Sequence, residues 1–470
     1  MTTATLGDLR ALPAAFLERY NRPGPRYTSY PTAPEWTEKI TGADLTDHLR
    51  SRSVAAPCAP LSIYVHIPFC EHRCRFCGCN AIATGHREIT APYLDTLRME
   101  MDLHARTLAE AGAAHRPVTQ LHLGGGTPTY LGPAQLLELS ASLRSRFQIA
   151  PDAEMSIEIN PRVTSDDHLR ALRLAGFNRL SLGIQDFHRP TQEIIERLQT
   201  VEETARLVDR ARELGFESVN FDLVYGLPLQ TAETFERTLD AVLDLGPDRV
   251  ALYNFAYLPA RLGHQRAIEP SLLPSGEVKF ATLLAAHERF TASGYDAIGM
   301  DHFARAGDPL ARARRERTMQ RNFMGYTTQA GTDLLALGVS SISATDGLFA
   351  QNTKRLSTHR TALVRGELPV ERGMTLSDED RLRRTVITEL MCHGVAVKSE
   401  IEAAHGVDFD EHFAGELTAL APMAADGLVV LRGDRVELTL LGIFFARNVA
   451  MVFDTYIRRP RATPLFSRTL

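Results

Sequence analysis

Between residues 61 and 257 the chain alternates between short runs rich in β-branched and aromatic residues and longer amphipathic stretches. No other feature restricts the fold as much. Strands are expected at 61–67, 120–123, 155–160, 179–184, 218–225 and 249–255, with helices at 91–111, 133–147, 192–214 and 232–245 among the segments between them. Strand, helix, strand in succession implies parallel strands joined by right-handed crossovers. Six such units fall two short of a closed eight-fold barrel.

The strand faces refine this reading. Ser156, Glu158 and Asn160 share one face while Ile157 and Ile159 share the other, as a period of two requires. The same alternation places Tyr64 and His66, Ser181 and Gln185, and Asn220 and Asp222 on polar faces, with Gly124 and Gly183 among them. A closed barrel fills its lumen with branched apolar side chains. A polar inner face fits an incomplete barrel whose open lumen holds ligands. The alternative, a polar face turned to solvent, conflicts with helices covering the outside of such a sheet.

The fold class is therefore α/β, with an incomplete six-unit barrel over 61–375 that includes capping segments from 258. An N-terminal arm spans 1–60 and a mostly helical domain 376–470. The arm carries NRPGPRYTSYPTAP from Asn21, whose prolines favour an extended segment over a helix. It is read either as a strap or as an element packed on the barrel. Segments around Asp301, Tyr326 and Ile342 are punctuated by Gly and Thr rather than periodic, and read as caps over one barrel end. The tail reads as helices at 378–392, 398–405 and 409–424, strands at 427–431 and 435–439 turned at Gly433-Asp434, and a last helix to about Tyr456. That pattern is winged-helix-like.

Four of the six cysteines, Cys70, Cys74, Cys77 and Cys79, stand in one loop with C-x-x-x-C-x-x-C-x-C spacing. Thiolates this close reach one iron–sulfur cluster over short arcs of backbone. Zinc is the blander alternative, but structural zinc draws on two separated C-x-x-C hooks and a second hook is missing. A disulfide framework fits poorly with a chain of this length that lacks a signal-like N-terminus. The isolated Cys58 and Cys392 read as buried or inert thiols. Gly124-Gly125-Gly126-Thr127 follows the second strand, where glycine lets backbone approach a ligand closely.

With 52 basic and 57 acidic residues the net charge is −5, which argues against a general polyanion binder. No apolar run is long enough to span a bilayer. A reducing cytoplasm is the expected compartment. The tail arginines Arg432, Arg435, Arg447, Arg458 and Arg459 are scattered among acids, which favours a packing domain over a nucleic-acid module.

The cysteine spacing, with Phe76 before the third cysteine, resembles the radical S-adenosylmethionine (SAM) superfamily. PGPRYTSYPTA, YVHIPFC, FCGCN, GGGTPTYL, SLGIQDF, FDLVYGLP, IGMDHFA, GYTTQ and FDTY together resemble one family within it, the oxygen-independent coproporphyrinogen III oxidases, from about residue 20 to the C-terminus. The resemblance implies a 4Fe–4S cluster on Cys70, Cys74 and Cys77, with the fourth iron open to SAM, and two SAM molecules. The first is expected against Tyr64, Gly125, Glu158, Arg197 and Ile342. The second is expected near Phe76, Gly126, Thr127, Gln185, Asp222 and Ala256. Cys79, His66 and Arg26 are the expected catalytic residues, although His66 and Phe76 equally suit a role in orienting the cluster loop. Met324 departs from the Gln often found there, which removes a polar contact.

The implied reaction converts two propionates of coproporphyrinogen III to the vinyl groups of protoporphyrinogen IX. One electron cleaves cluster-bound SAM, the 5′-deoxyadenosyl radical takes a hydrogen from the carbon β to the carboxylate, carbon dioxide leaves, and an unidentified acceptor takes one electron. The first electron needs a potential of roughly −500 mV or below, and an electron donor such as flavodoxin or ferredoxin is expected. The chain is expected to act as a monomer, with neither nucleic acid nor membrane as partner. Arg22, Arg26 and Arg321 are the expected anchors for substrate carboxylates. The rival reading is a haem-binding chaperone of the related radical SAM group, from which Cys79 and the PGPRYTSYP arm depart.

Overall fold

The structure, a computed structural model, describes residues 6–458 and 465–469. Arg459, and the extreme ends of the arm and tail segments, lie outside them. The expected strands are all present: β1 (Leu61–Ile67), β2 (Pro117–Gly125), β3 (Gln148–Ile159), β4 (Arg179–Gln185), β5 (Ser218–Tyr225) and β6 (Arg249–Asn254). They pair in parallel in chain order. Their outward residues, among them Ile63, Leu121, Ile157, Leu182 and Phe221, are fully buried under the crossover helices.

The segment 258–375 departs from the expectation of caps. It extends the sheet at both edges. β7 (Tyr295–Ala297) and β8 (His302–Arg305) add antiparallel strands beyond β6. β9 (Asp333–Leu337) runs parallel to β1, and β10 (Ile342–Thr345), β11 (Leu348–Asn352) and β12 (Val370–Thr375) follow as an antiparallel meander. The result is a 12-stranded sheet in the order β12-β11-β10-β9-β1-β2-β3-β4-β5-β6-β8-β7. Its two edges do not pair among the described residues, so the barrel stays open. These strands escape a periodicity search because they are short, and β9 and β11 are in addition buried on both faces.

Two helices also differ from expectation. The stretch 192–214 breaks into Arg189–Ile195 and Val201–Glu213, because Glu196 caps the first helix in the left-handed conformation at φ 56°. That break turns Arg197 inward. In the tail, 409–424 divides into Phe409–His412 and Ala414–Ala425, and the ribbon gains a third strand, Val395–Val397, beside Arg435–Leu438.

The arm is a buried packing element. Arg447 donates to the carbonyls of Gly24 and Pro25, the Tyr27 hydroxyl donates to Asp454 at 3.0 Å, and Tyr30 meets Thr455 at 3.1 Å. Trp36 stacks on Phe349 of β11 with centroids 5.2 Å apart. The tail arginines are consumed internally: Arg432 and Arg435 both pair with Glu437, and Arg458 lies 3.6 Å from Glu416. Cys392 is buried as expected, whereas Cys58 is exposed.

One buried ion pair fixes the long-range closure of β9 onto β1. Arg116, just before β2, donates to Asp333 at 2.5 Å, to the Ala59 carbonyl at 2.7 Å and to Ser53 at 3.1 Å. Both members of the pair are shut off from solvent. Without Arg116 the buried Asp333 keeps only the more distant Arg52, at 3.5 Å, so Arg116→Ala is expected to lower the unfolding free energy by about 3 kcal/mol. Denaturant titration checks this.

Candidate active site

The cysteine loop leaves the end of β1 and is stitched to the glycine segment at the end of β2. Gly126 donates to the Ile67 carbonyl at 2.9 Å and Thr127 to the Phe69 carbonyl at 2.8 Å. The Cys70 sulfur lies 3.5 Å from the Thr127 hydroxyl. Gly125 adopts φ 118° and packs on His66, where an added Cβ would come within 2.7 Å of the ring. Only glycine fits there.

The loop's far side is held from below. The Arg75 amide donates to the Ile195 carbonyl at 3.0 Å. The wholly buried Gln265 donates to the carbonyls of Phe76 at 3.1 Å and Ala256 at 3.0 Å, and His264 reaches the Cys77 carbonyl at 2.7 Å. His66 bridges the Tyr64 hydroxyl and the Asn80 carbonyl, each at 3.0 Å. With both ring nitrogens engaged, His66 orients the loop rather than presenting a free group to a substrate.

These residues frame a cavity of about 410 Å³ at the carboxyl ends of the parallel strands. Cys70, Cys74, Cys77 and Cys79 line it together with Phe76, Gly125, Gly126 and Thr127. Glu158, Gln185, Arg197, Asp222 and Ala256 complete the expected residues found there. Gln185 reaches it through a bulge, at φ 70°, where the β4–β5 register slips. A second cavity of about 360 Å³ adjoins it, sharing Glu158 and Tyr253. Tyr64, His66, Arg26 and Ile342 line this second space. The expected first SAM set is thus split between the cavities, because Tyr64 and Ile342 lie on the β10 side of the lumen.

The donor set fits the groups the cysteine motif implies. Burial pushes the Cys70 thiol up to about 11 and raises that of Cys74. A hydrogen bond from Cys79 brings Cys77 down to about 6. Among the described residues no three Cys, His, Asp or Glu side chains form a compact metal-ion group, while all four cysteines of the loop line one cavity. Beside them the Nε of Arg197 and the Oδ1 of Asn254 are buried without partners. Arg197 otherwise donates to the Gly183 carbonyl at 2.7 Å and lies 4.0 Å from the Cys74 sulfur. Both residues line the cavity, whose volume suits a small polar ligand.

The acids differ in how they are compensated. Glu158 accepts from the Gly125 amide at 3.0 Å and faces His122 at 3.5 Å. Burial opposes its charge, yet His122 and that amide hold its carboxyl below the usual carboxylate pKa range. Asp222 accepts only from the neutral Ser181 and Asn220, at 2.9 Å each. Burial first, and then the Glu158 charge, push its carboxyl up to about 7.

Across the second cavity, Arg26 pairs with Asp301 and lies 5.1 Å from the Tyr253 ring centroid. Arg321 donates to the Arg26 carbonyl at 3.3 Å and keeps a buried Nη1 without a partner. Arg22 is exposed and does not line the cavity, since its backbone pairs with Thr469 on the outside of the seam. Sequence reasoning missed Tyr253, Gln265 and His302. The inward alternation of β6 marks Tyr253, whereas Gln265 lies in an irregular turn with no periodic signal.

The radical SAM superfamily pattern matches residues 64–242, and the HemN C-terminal domain pattern matches 376–445. An oxygen-independent coproporphyrinogen III oxidase of Escherichia coli is 45% identical over 97% of this chain and 98% of its own. One from Pseudomonas aeruginosa is 43% identical, covering 94% and 96%. The solved structure of E. coli coproporphyrinogen III oxidase, HemN, described as a radical SAM enzyme, superposes with a TM-score of 0.88 at 44% identity, covering 94% of this chain and 98% of that one.

Asp222 generates a pH test in the cofactor-free protein. Between about pH 4 and 7 the unfolded chain ionises Asp222 while the folded protein keeps it protonated. Its contribution to stability therefore falls as pH rises through that window. Asp222→Asn removes the effect, so the variant is expected to gain on the parent protein by up to about 4 kcal/mol between pH 4 and 8, less whatever cavity water screens. Denaturation midpoints measured across that range check the sign.

Proposed function

That this chain belongs to the oxygen-independent coproporphyrinogen III oxidase family, among the radical SAM oxidoreductases, is the premise from which we propose how its site works. The enzyme oxidatively decarboxylates two propionates of coproporphyrinogen III to the vinyl groups of protoporphyrinogen IX in haem biosynthesis. The observation carrying this reading is one cavity in which four cysteines, a glycine edge and the acids of the lumen meet, open to a second cavity lined by Arg26 and Arg321.

Cys70, Cys74 and Cys77 would hold the cluster. When bound, the 4Fe–4S cluster and SAM supply the 5′-deoxyadenosyl radical that takes the propionate hydrogen. Gly125, Glu158 and Arg197, with Tyr64 and Ile342 from the adjoining space, would receive one SAM. Phe76, Gly126, Thr127, Gln185, Asp222 and Ala256 would receive the second. A cationic ligand suits the Glu158 and Asp222 end of the lumen, where carboxylate charge is least compensated. Cys79, whose amide donates to the Cys77 sulfur at 3.4 Å, would shape the loop on the side that meets substrate.

Coproporphyrinogen III carries four carboxylates on an apolar macrocycle. The idle Nη1 of Arg321 offers one of them a charge-assisted hydrogen bond. Phe323, Met324, Leu334 and Ile342 give the cavity an apolar side. Arg26, already paired with Asp301, orients this wall and would share the second carboxylate. The proposed division of the chain is the arm 1–60, the partial barrel 61–375 and the helical domain 376–470, the last a packing domain rather than a nucleic-acid module. A flavodoxin- or ferredoxin-type donor, an acceptor still to be identified, a cytoplasmic location and a monomeric state complete the proposal. No helix among the described residues is long and apolar enough to cross a membrane.

Anaerobic reconstitution with iron and sulfide, followed by a porphyrinogen assay with SAM, tests the reading. Vinyl product is expected; haem binding without decarboxylation would favour the chaperone group instead. Cys70→Ser, Cys74→Ser and Cys77→Ser are each expected to abolish the cluster absorption, while Cys79→Ser keeps it and loses decarboxylation. Arg321→Gln is expected to weaken porphyrinogen binding by about 1.5–3 kcal/mol while SAM cleavage without substrate stays near normal. Equilibrium binding and product analysis separate the two.

A further inference from the structure

Behind the second cavity a buried polar network joins helix Thr90–Glu110 to the turn between β9 and β10. Glu100 is wholly buried. One of its oxygens accepts from the Gly338 amide at 2.7 Å and from His359 at 3.1 Å, and the other accepts from Asn352 at 2.6 Å. Asn352 in turn donates to the Gly338 carbonyl at 2.9 Å and to the Ser341 hydroxyl at 3.1 Å. Two turns earlier on the helix, the Tyr93 hydroxyl donates to the His66 carbonyl at 2.7 Å and accepts from the Val339 amide at 3.1 Å.

The turn held this way is not a relaxed one. Ser340 takes a left-handed backbone at φ 59°, uncommon for a residue with a side chain. Gly338 adopts φ 95°, and a Cβ there would meet the Tyr93 hydroxyl at 2.3 Å and the His66 carbonyl at 2.7 Å. Such conformations persist only where surrounding contacts over-determine them. The product of this constraint is the cavity wall formed by Ser340, Ser341 and Ile342. The same network reaches the opposite wall, because the His66 whose carbonyl it holds also bonds the Tyr64 hydroxyl at 3.0 Å.

We propose that Glu100, Tyr93 and Asn352 are positioning residues that set the gap between Tyr64 and Ile342, and through it the affinity for SAM. They touch neither cofactor nor substrate. Glu100 fixes the height of the turn, and Tyr93 fixes its distance from the end of β1. The inference rests on the reading above that Tyr64 and Ile342 receive one SAM.

Tyr93→Phe keeps the ring that packs edge-on against Phe69 and removes both hydroxyl bonds. Glu100→Gln keeps the shape, but one amide cannot serve all three donors. Each variant, reconstituted beside the parent protein, is assayed for melting temperature, cluster absorption, SAM dissociation constant by equilibrium dialysis, and KM against kcat. SAM is expected to bind about tenfold more weakly in both, with cluster content kept, KM for SAM raised and kcat within about twofold. If Glu100→Gln does not fold, Tyr93→Phe and Ser341→Ala, which deletes the hydroxyl that Asn352 meets, decide the matter. Unchanged SAM affinity in the folded variants overturns the proposal, as does a loss that merely tracks lower melting temperature and cluster content. A parent protein that binds SAM but forms no vinyl product refutes the proposed reaction and leaves this inference standing.

Discussion

A carboxylate withdrawn from water must find compensation, and the lumen of this sheet encloses Glu154 and Glu158 on β3 and Asp222 two strands away on β5. The compensation is graded along the barrel. Near the start of the strands, Glu154 accepts from Arg179 at 2.5 Å and from Gln120 at 2.9 Å, and Arg249 pairs with Asp308 at 2.7 Å. That end is neutralised and structural. Toward the carboxyl ends Asp222 is left with neutral donors, Ser181 and Asn220, while Arg197 donates to the Gly183 carbonyl rather than to an acid. The end of the lumen that faces the cysteine loop therefore holds an acid and a cation that do not pair with each other, which a ligand bearing both an ammonium and a carboxylate would complement. Ligand sites in parallel α/β folds form at the carboxyl ends of strands; here the unpaired charges of the lumen give that rule a local cause.

The sheet stays open and its lumen is polar, with side chains bonded from strand to strand, as Gln120 to Glu154 and Asn220 to Ser181. Long-range pairing then has to be secured elsewhere, and the Arg116–Asp333 pair does so where β9 returns beside β1. The arm and tail close the remaining face. Their seam is stitched by Arg447, Tyr27 and Tyr30 beside an apolar core in which Phe16 and Tyr20 pack on Phe445, and it presents Arg26 to the substrate side.

The six strands with alternating crossovers were legible because their buried and polar faces follow a strict period of two. The cysteine loop, the glycine edge, Glu158 and Asp222 were legible for the same reason: local spacing and strand phase place them. What the sequence concealed depends on events without a period. One left-handed residue, Glu196, decides that Arg197 points inward. The edge strands β7 to β12 are too short for alternation to show. The division of Tyr64 and Ile342 from the other cofactor residues depends on where β10 pairs, which is set by a contact between residues far apart in the chain. Glu100 and Asn352 look like ordinary helix and strand polar residues until their partners are known. Arg22 and Arg26 are indistinguishable in sequence, and only the packing of the arm sends one to the cavity and the other to solvent.

The arm's partners carry a consequence for how the substrate side is held. The Gly24 amide donates to the Ser467 carbonyl at 3.1 Å, Pro23 bridges Arg468, and Arg447 holds the carbonyls of Gly24 and Pro25. Arg26 is thus gripped from two regions: its flanking backbone by the tail, its guanidinium by Asp301 and its carbonyl by Arg321. Loosening the seam between arm and tail would free that wall while the cysteine loop and the lumen acids keep their own contacts, so the two halves of the site can fail separately.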